Sequence, residues 1–148
     1  MRQCDFLPGE QLISVVRKGT RAVQQLPASA DAFVWHRLYQ QELLLQRTTV
    51  PDPAVPDSLA LIGVGLETGA YTQHYYDSRG VARLYAMTLE AGVWTLSRES
   101  PDFTPLDFRQ RYTGTFSADG NAISGAWEIG LAGGGLRHDF DLSYHRAG

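Results

Sequence analysis

Several polar side chains of this sequence fall on strand faces that are otherwise apolar, and they are its first candidates for chemistry. Side chains alternate between the two faces of a strand, so the apolar set of each segment identifies the face that turns inward. That face also carries Arg98, Gln110 and His138, together with the hydroxyl groups of Tyr112 and Tyr144. A buried polar group without a partner costs about 1–3 kcal/mol, and an unpaired charge costs more. These groups therefore either satisfy one another or line a cavity that holds water or a ligand.

The chemistry that such a surface supports is recognition of a small molecule. A concave apolar pocket with a few convergent polar groups is the usual form of a ligand site. Here the polar groups would orient a polar or acidic head, and the walls would come from inward aromatic residues: Trp94, Phe108, Tyr112, Trp127 and Phe140. In the segments 70–77 and 81–90 alternation does not identify the inward face, which leaves His74, Tyr76, Arg83 and Tyr85 as further candidates.

The sequence offers little for catalysis or metal binding. No inward set contains a pair of carboxylates, and nothing places a Ser or Cys nucleophile beside His138. The single cysteine, Cys4, excludes an internal disulfide and a Cys-based zinc site. Gly63 and Gly65 mimic a dinucleotide loop, but a strand-like run follows them where a helix would be needed. We therefore predict no catalytic residue and no metal site.

Short β-branched and aromatic runs, separated by turn residues every eight to twelve positions, dominate the chain from residue 31 onward. This spacing is typical of an antiparallel all-β domain. We predict strands at 31–39, 42–50, 59–65, 70–77, 81–90, 93–99, 107–117, 121–129 and 136–145. Most connections are too short for a parallel crossover, so the strands should form an antiparallel meander closed into a barrel of about 8–10 strands.

Residues 1–148 are interpreted as one β-barrel domain, of which 1–30 form an atypical segment. Leu12, Val15, Val16, Val23 and Leu26 lie at spacings compatible with one helix face, which favours a short helix. The alternative is a hairpin that turns at Lys18 and Gly19.

Composition limits the partners. The chain is 43% hydrophobic and 20% charged with a net charge of −3, so it lacks the basic excess of a nucleic-acid binder. The longest nearly unbroken apolar run, 59–66, is less than half of the about 20 residues that a membrane helix needs. We see no signal peptide and expect a cytoplasmic protein, a monomer or homodimer, whose partner is a small apolar or amphipathic molecule.

Longer motifs carry a resemblance to a known family. The segments 43–47, 50–58, 71–81, 83–87, 94–96, 108–116 and 138–144 resemble a bacterial family of small uncharacterised proteins with a lipocalin-like (calycin) barrel. That family is related in shape to fatty-acid-binding proteins and to haem-binding nitrobindins. The resemblance covers about residues 33–145 and implies a fold, but no catalytic residue, because the family has no settled function. Such barrels usually open on a strand with Gly-x-Trp, whereas residues 1–30 contain no Trp.

Three hypotheses remain open from the sequence. The first is a non-catalytic barrel that binds a small, largely apolar ligand and has no cofactor. The second is a haem-binding barrel with His138 as axial ligand, although the nitrobindin haem motif is not matched. The third is a structural or interaction module whose interior is filled by its own aromatic side chains.

Overall fold

The part of the chain that the structure describes forms a sheet of eleven strands. The computed structural model describes residues 13–19, 22–25, 34–38, 43–48, 53–65, 67–131 and 133–146. The strands are β1 (Ile13–Gly19), β2 (Ala22–Gln25), β3 (Val34–Leu38), β4 (Leu43–Thr48), β5 (Ser58–Val64), β6 (Tyr71–Asp77), β7 (Ala82–Glu90), β8 (Val93–Arg98), β9 (Phe108–Phe116), β10 (Ala122–Leu131) and β11 (Arg137–Arg146). All nine strands that the sequence predicts are present.

The strands form an antiparallel meander that curls into a half-barrel. Their order is β2-β1-β11-β10-β9-β8-β7-β6-β5-β4-β3, and among the described residues no ladder joins β3 to β2. The curl is visible in side-chain contacts. Tyr85 on β7 and Trp127 on β10 lie three strands apart, about 14 Å in a flat sheet, yet their ring centroids are 5.5 Å apart. The predicted all-β meander is confirmed.

The turns follow the residues that occupy them. Ala91 and Gly92, between β7 and β8, both have positive φ values (50° and 76°), as the tightest hairpin turns require. After β6, the Asp77 carboxylate accepts a hydrogen bond from the Arg79 backbone N–H at 2.9 Å, and Gly80 follows with a φ of 83°. These local choices fix the short connections that hold consecutive strands in register.

Within residues 1–30, the described stretches 13–19 and 22–25 are paired strands, so the helix predicted there from apolar spacing is wrong. β1 pairs with β2, with Gly19 opposite Ala22, and β1 also pairs with β11 along its whole length. The β-branched residues of β1 favour a strand, and a glycine within a helix would cost about 1 kcal/mol relative to alanine. The pairing of β1 with the C-terminal strand β11 is a long-range interaction, which a local sequence pattern does not predict.

A bulge in β11 changes which side chains point inward. Trp127 pairs with Phe140 and Glu128 with His138, so Asp139 has no partner on β10. The extra residue reverses the alternation before it. His138 consequently lies outside: its side chain is 48% exposed and its Nε2 lies 2.8 Å from an oxygen of Asp141. The predicted inward orientation of His138 is therefore wrong.

Aromatic rings fill part of the concave side of the sheet. Tyr112 is fully buried, stacks edge-on against Trp94 at 5.2 Å, and donates its hydroxyl hydrogen to the Leu142 carbonyl at 3.1 Å. Its ring lies over Gly114 and Gly125, where added Cβ atoms would collide with it. This cluster forms the floor beneath the remaining interior space.

Candidate ligand cavity

The concave side of the half-barrel holds a cavity of about 460 Å³. At about 30 Å³ per water molecule, this is room for roughly 15 waters, and it falls within the usual range of small-molecule sites. Strands β4 to β11 and the loop before β5, with Ala54, Val55 and Pro56, contribute its walls. The cavity therefore draws its wall from eight consecutive strands of the meander.

Eight of the candidate residues that the sequence offers line this cavity: Arg83, Tyr85, Trp94, Phe108, Gln110, Trp127, Phe140 and Tyr144. Tyr112 is not in the wall but in the floor beneath it. His74 lies on the outer face of β6, opposite to Gln73 and Tyr75, which do line the cavity. With His138 also outside, the structure removes both predicted histidines from the site.

Arg98 is buried as predicted, but its side chain bonds to a neighbouring loop and does not line the cavity. Its guanidinium makes a two-pronged ion pair with Asp102, at 2.7 and 3.0 Å, with both side chains at most 3% exposed. It also donates to the carbonyls of Phe108 and Pro105. With its donors occupied by the loop between β8 and β9, Arg98 has no role in orienting a ligand, and that prediction is corrected.

Arg98 and Asp102 together anchor the loop between β8 and β9. The Asp102 carboxylate accepts hydrogen bonds from the backbone N–H groups of Leu84 and Thr104, at 3.0 and 3.1 Å. The Arg98 guanidinium, together with these weaker backbone contributions, holds the pKa of Asp102 well below its usual range. The anchor fixes the start of β9 and with it the position of Phe108 and Gln110.

Arg83 provides the cavity with a cation at the place the sequence assigned to Arg98. Its Nη1 donates to Gln110 Oε1 at 2.5 Å, and its guanidinium carbon lies 4.8 Å from the centre of the Phe108 ring. Tyr85 donates its hydroxyl hydrogen to the same Gln110 oxygen at 2.9 Å. All four side chains border the cavity, so the two strands β7 and β9 bring together one charged polar group.

Strands β4 and β6 supply a second polar wall. The side-chain oxygens of Gln46, Thr48 and Gln73 are buried and have no hydrogen-bond partner among the described residues. All three residues line the cavity and are at most 9% exposed. Such groups are rare in folded proteins because each one costs free energy, and they mark places where a ligand or water completes the bonding. This wall therefore presents hydrogen-bond acceptors to whatever fills the cavity.

The cavity tyrosines remain neutral hydrogen-bonding groups. Burial raises the pKa of Tyr85, against the lowering effect of Arg83. Burial and the nearby Asp77 carboxylate raise the pKa of Tyr75, whose hydroxyl donates to that carboxylate at 3.0 Å. The charged side chains of the wall are thus Arg79, Arg83 and Asp139, of which Arg79 is paired with Asp77 at 2.7 Å.

The donor set does not fit haem held as the sequence predicted. His138 is outside, and the described residues of the cavity wall include no His, Cys or Met, the side chains that most often ligate haem iron. Nor do the described residues hold a cluster of three metal-ligating side chains.

Comparison with known proteins adds no assignment. No family model matches this sequence, and neither does any curated protein. The half-barrel is compatible with a calycin-like fold. Across the part of the chain that the structure describes, no helix has the length and apolar character to cross a membrane.

Proposed function

We propose that this protein binds a small, largely apolar molecule with polar substituents in its half-barrel, without transforming it chemically. The observation that carries the proposal is the combination of a cavity of about 460 Å³ with three buried wall oxygens that have no partner in the described part of the chain. A ligand with hydroxyl or N–H groups would complete these bonds. We also propose that the protein is lipocalin-like, on the basis of the resemblance in its motifs and its curled meander.

The apolar part of the ligand would contact the aromatic wall. Trp127 and Phe140 are opposite each other on β10 and β11, and Tyr85 packs edge-on against Trp127. Aromatic rings of this kind supply large contact areas at a low cost in side-chain freedom. The polar wall of β4 and β6 would then determine which apolar molecules are accepted, because an acceptor left unpaired disfavours the wrong ligand.

The alternative of a filled-core module is less consistent with the interior. A core without a ligand function gains from close packing at the density of organic crystals, and it has no use for unpartnered polar groups. Here Gln46, Thr48 and Gln73 face a space large enough for an organic molecule.

The test is a titration with N-phenyl-1-naphthylamine, a neutral probe whose emission rises in apolar surroundings. We expect saturable binding that is weakened at least about 10-fold by Ile129→Trp, which fills the cavity from β10. The matched control is Ser124→Trp, on the exposed outer face of the same strand. Absence of saturable binding, or equal binding by the two variants, would contradict the proposal.

A further inference from the structure

We infer that the molecule bound in this cavity carries a single anionic group, a carboxylate, which the Arg83 guanidinium binds. The inference rests on the proposed function and adds the chemical class of the ligand. It also assigns the orienting role to Arg83 on β7, a residue whose face the sequence alone left undecided.

Among the described residues no carboxylate lies within ion-pair distance of Arg83, while its neighbours in the fold are neutralised: Arg79 by Asp77, Arg98 by Asp102 and Arg111 by Glu128. A half-buried charge without a counter-ion is costly. An anionic ligand would supply the missing partner. Asp139 also borders the cavity, but it makes no ion pair with Arg83.

The Arg83 guanidinium is held in a fixed orientation by its neighbours. The guanidinium is held from one side by the amide oxygen of Gln110 and from its face by the Phe108 ring. Gln110 is held in turn by the Tyr85 hydroxyl. One of the five N–H donors of Arg83 is therefore occupied and the plane of the group is fixed, so its remaining donors are pre-oriented, which lowers the entropy cost of binding.

The shape and the single charge of the Arg83 guanidinium favour a carboxylate over other anions. The planar fork of a guanidinium matches the two oxygens of a carboxylate with parallel hydrogen bonds. A phosphate monoester would bring close to two negative charges, whereas this part of the wall offers one unneutralised cation among aromatic and amide groups. A monoanion on an apolar body fits both the charge and the lining.

The experiment compares three ten-carbon competitors that differ only in the head group: decanoate, decan-1-ol and decylammonium. Each displaces N-phenyl-1-naphthylamine from the wild-type protein, from Arg83→Gln and from the control Arg111→Gln, whose side chain lies on the outer face beside Glu128. Retained binding of the neutral probe shows that each variant is folded.

We expect decanoate to bind the wild type most tightly and Arg83→Gln to weaken decanoate about 10- to 100-fold. Decan-1-ol should change less than about twofold, and Arg111→Gln should leave all three competitors unchanged. Equal affinity for the three head groups, tighter binding of decylammonium, or an equal loss of decanoate and decan-1-ol in Arg83→Gln would overturn the inference while leaving the proposed function standing. Failure of the neutral probe to bind the wild type would overturn both.

Discussion

Replacing Arg98 with methionine should destabilise the protein strongly, because Arg98 holds a loop and does not hold a ligand. The variant leaves the Asp102 carboxylate, 3% exposed in the native fold, without its ion-pair partner. Breaking a buried ion pair from one side costs about 3–5 kcal/mol. Asp102 keeps its hydrogen bonds from the backbone of Leu84 and Thr104, so we expect a loss near the lower limit, about 3 kcal/mol in the free energy of unfolding.

The matched control is Arg111→Met on the neighbouring strand β9. Arg111 pairs with Glu128 at 2.8 Å, but the two side chains are 42% and 30% exposed. Pairs of this kind contribute about 0–1 kcal/mol. Urea denaturation at pH 7, followed by tryptophan fluorescence, measures both variants. The double variant Arg98→Met with Asp102→Leu should recover part of the loss, because it leaves no stranded charge.

A loss for Arg98→Met no larger than that for Arg111→Met would refute this reasoning. So would a stable Arg98→Met protein that binds the neutral probe but no longer binds decanoate. That second result would return Arg98 to the ligand-orienting role that strand alternation predicts for it.

Three further predictions follow from the interior. Without ligand, Gln73→Met should raise the free energy of unfolding by about 1 kcal/mol, since it removes an unpartnered buried acceptor. The control Gln110→Met removes the acceptor of two hydrogen bonds, so its free energy of unfolding should fall. Urea denaturation measures both, and a change of the same sign in the two variants would contradict this reasoning. Gly114→Ala should lower stability by about 1–3 kcal/mol, because the new Cβ would lie 2.6 Å from the Tyr112 hydroxyl oxygen, and an unchanged Tm would count against that packing. Four tyrosines have folded-state pKa values raised above 10.0, so their contribution to the free energy of unfolding is fully present below pH 10 and is lost progressively as the pH rises above it. Absorbance at 295 nm should show that these tyrosines ionise at a higher pH in the folded protein than in the unfolded protein. Ordinary titration of all four in the folded protein would contradict this prediction. Those residues are Tyr75, Tyr85, Tyr112 and Tyr144.

Much of the fold could be predicted from the sequence because its signals are local. Alternating apolar residues mark each strand from β3 to β11, and turn residues such as Gly80 and Gly92 mark the connections. Alternation also placed Trp94, Gln110 and Trp127 on the inner face correctly. The pairing of β1 with β11 was not predicted, since no local pattern records which distant strand completes an edge.

The candidate site was predicted less well, for three physical reasons. A one-residue bulge at Asp139 reversed the face of His138, and bulges leave no reliable mark in residue types. Arg98 does face inward, but its partners come from a loop whose path the sequence does not reveal. Gln46 and Gln73 were missed as site residues, and Arg83 was left undecided, because alternation alone does not identify the inner face of a strand with polar or aromatic residues on both faces. The signal that would have found Arg83 is its register opposite Tyr75, which only the pairing of β6 with β7 provides.

Native mass spectrometry of the purified protein, paired with the denatured mass of the same sample, shows whether the cavity holds a ligand. We expect an additional mass that is lost on denaturation, and that either disappears from Arg83→Gln or is replaced there by a neutral molecule. A bare chain mass that stays bare after incubation with decanoate and with N-phenyl-1-naphthylamine would contradict a ligand-binding cavity.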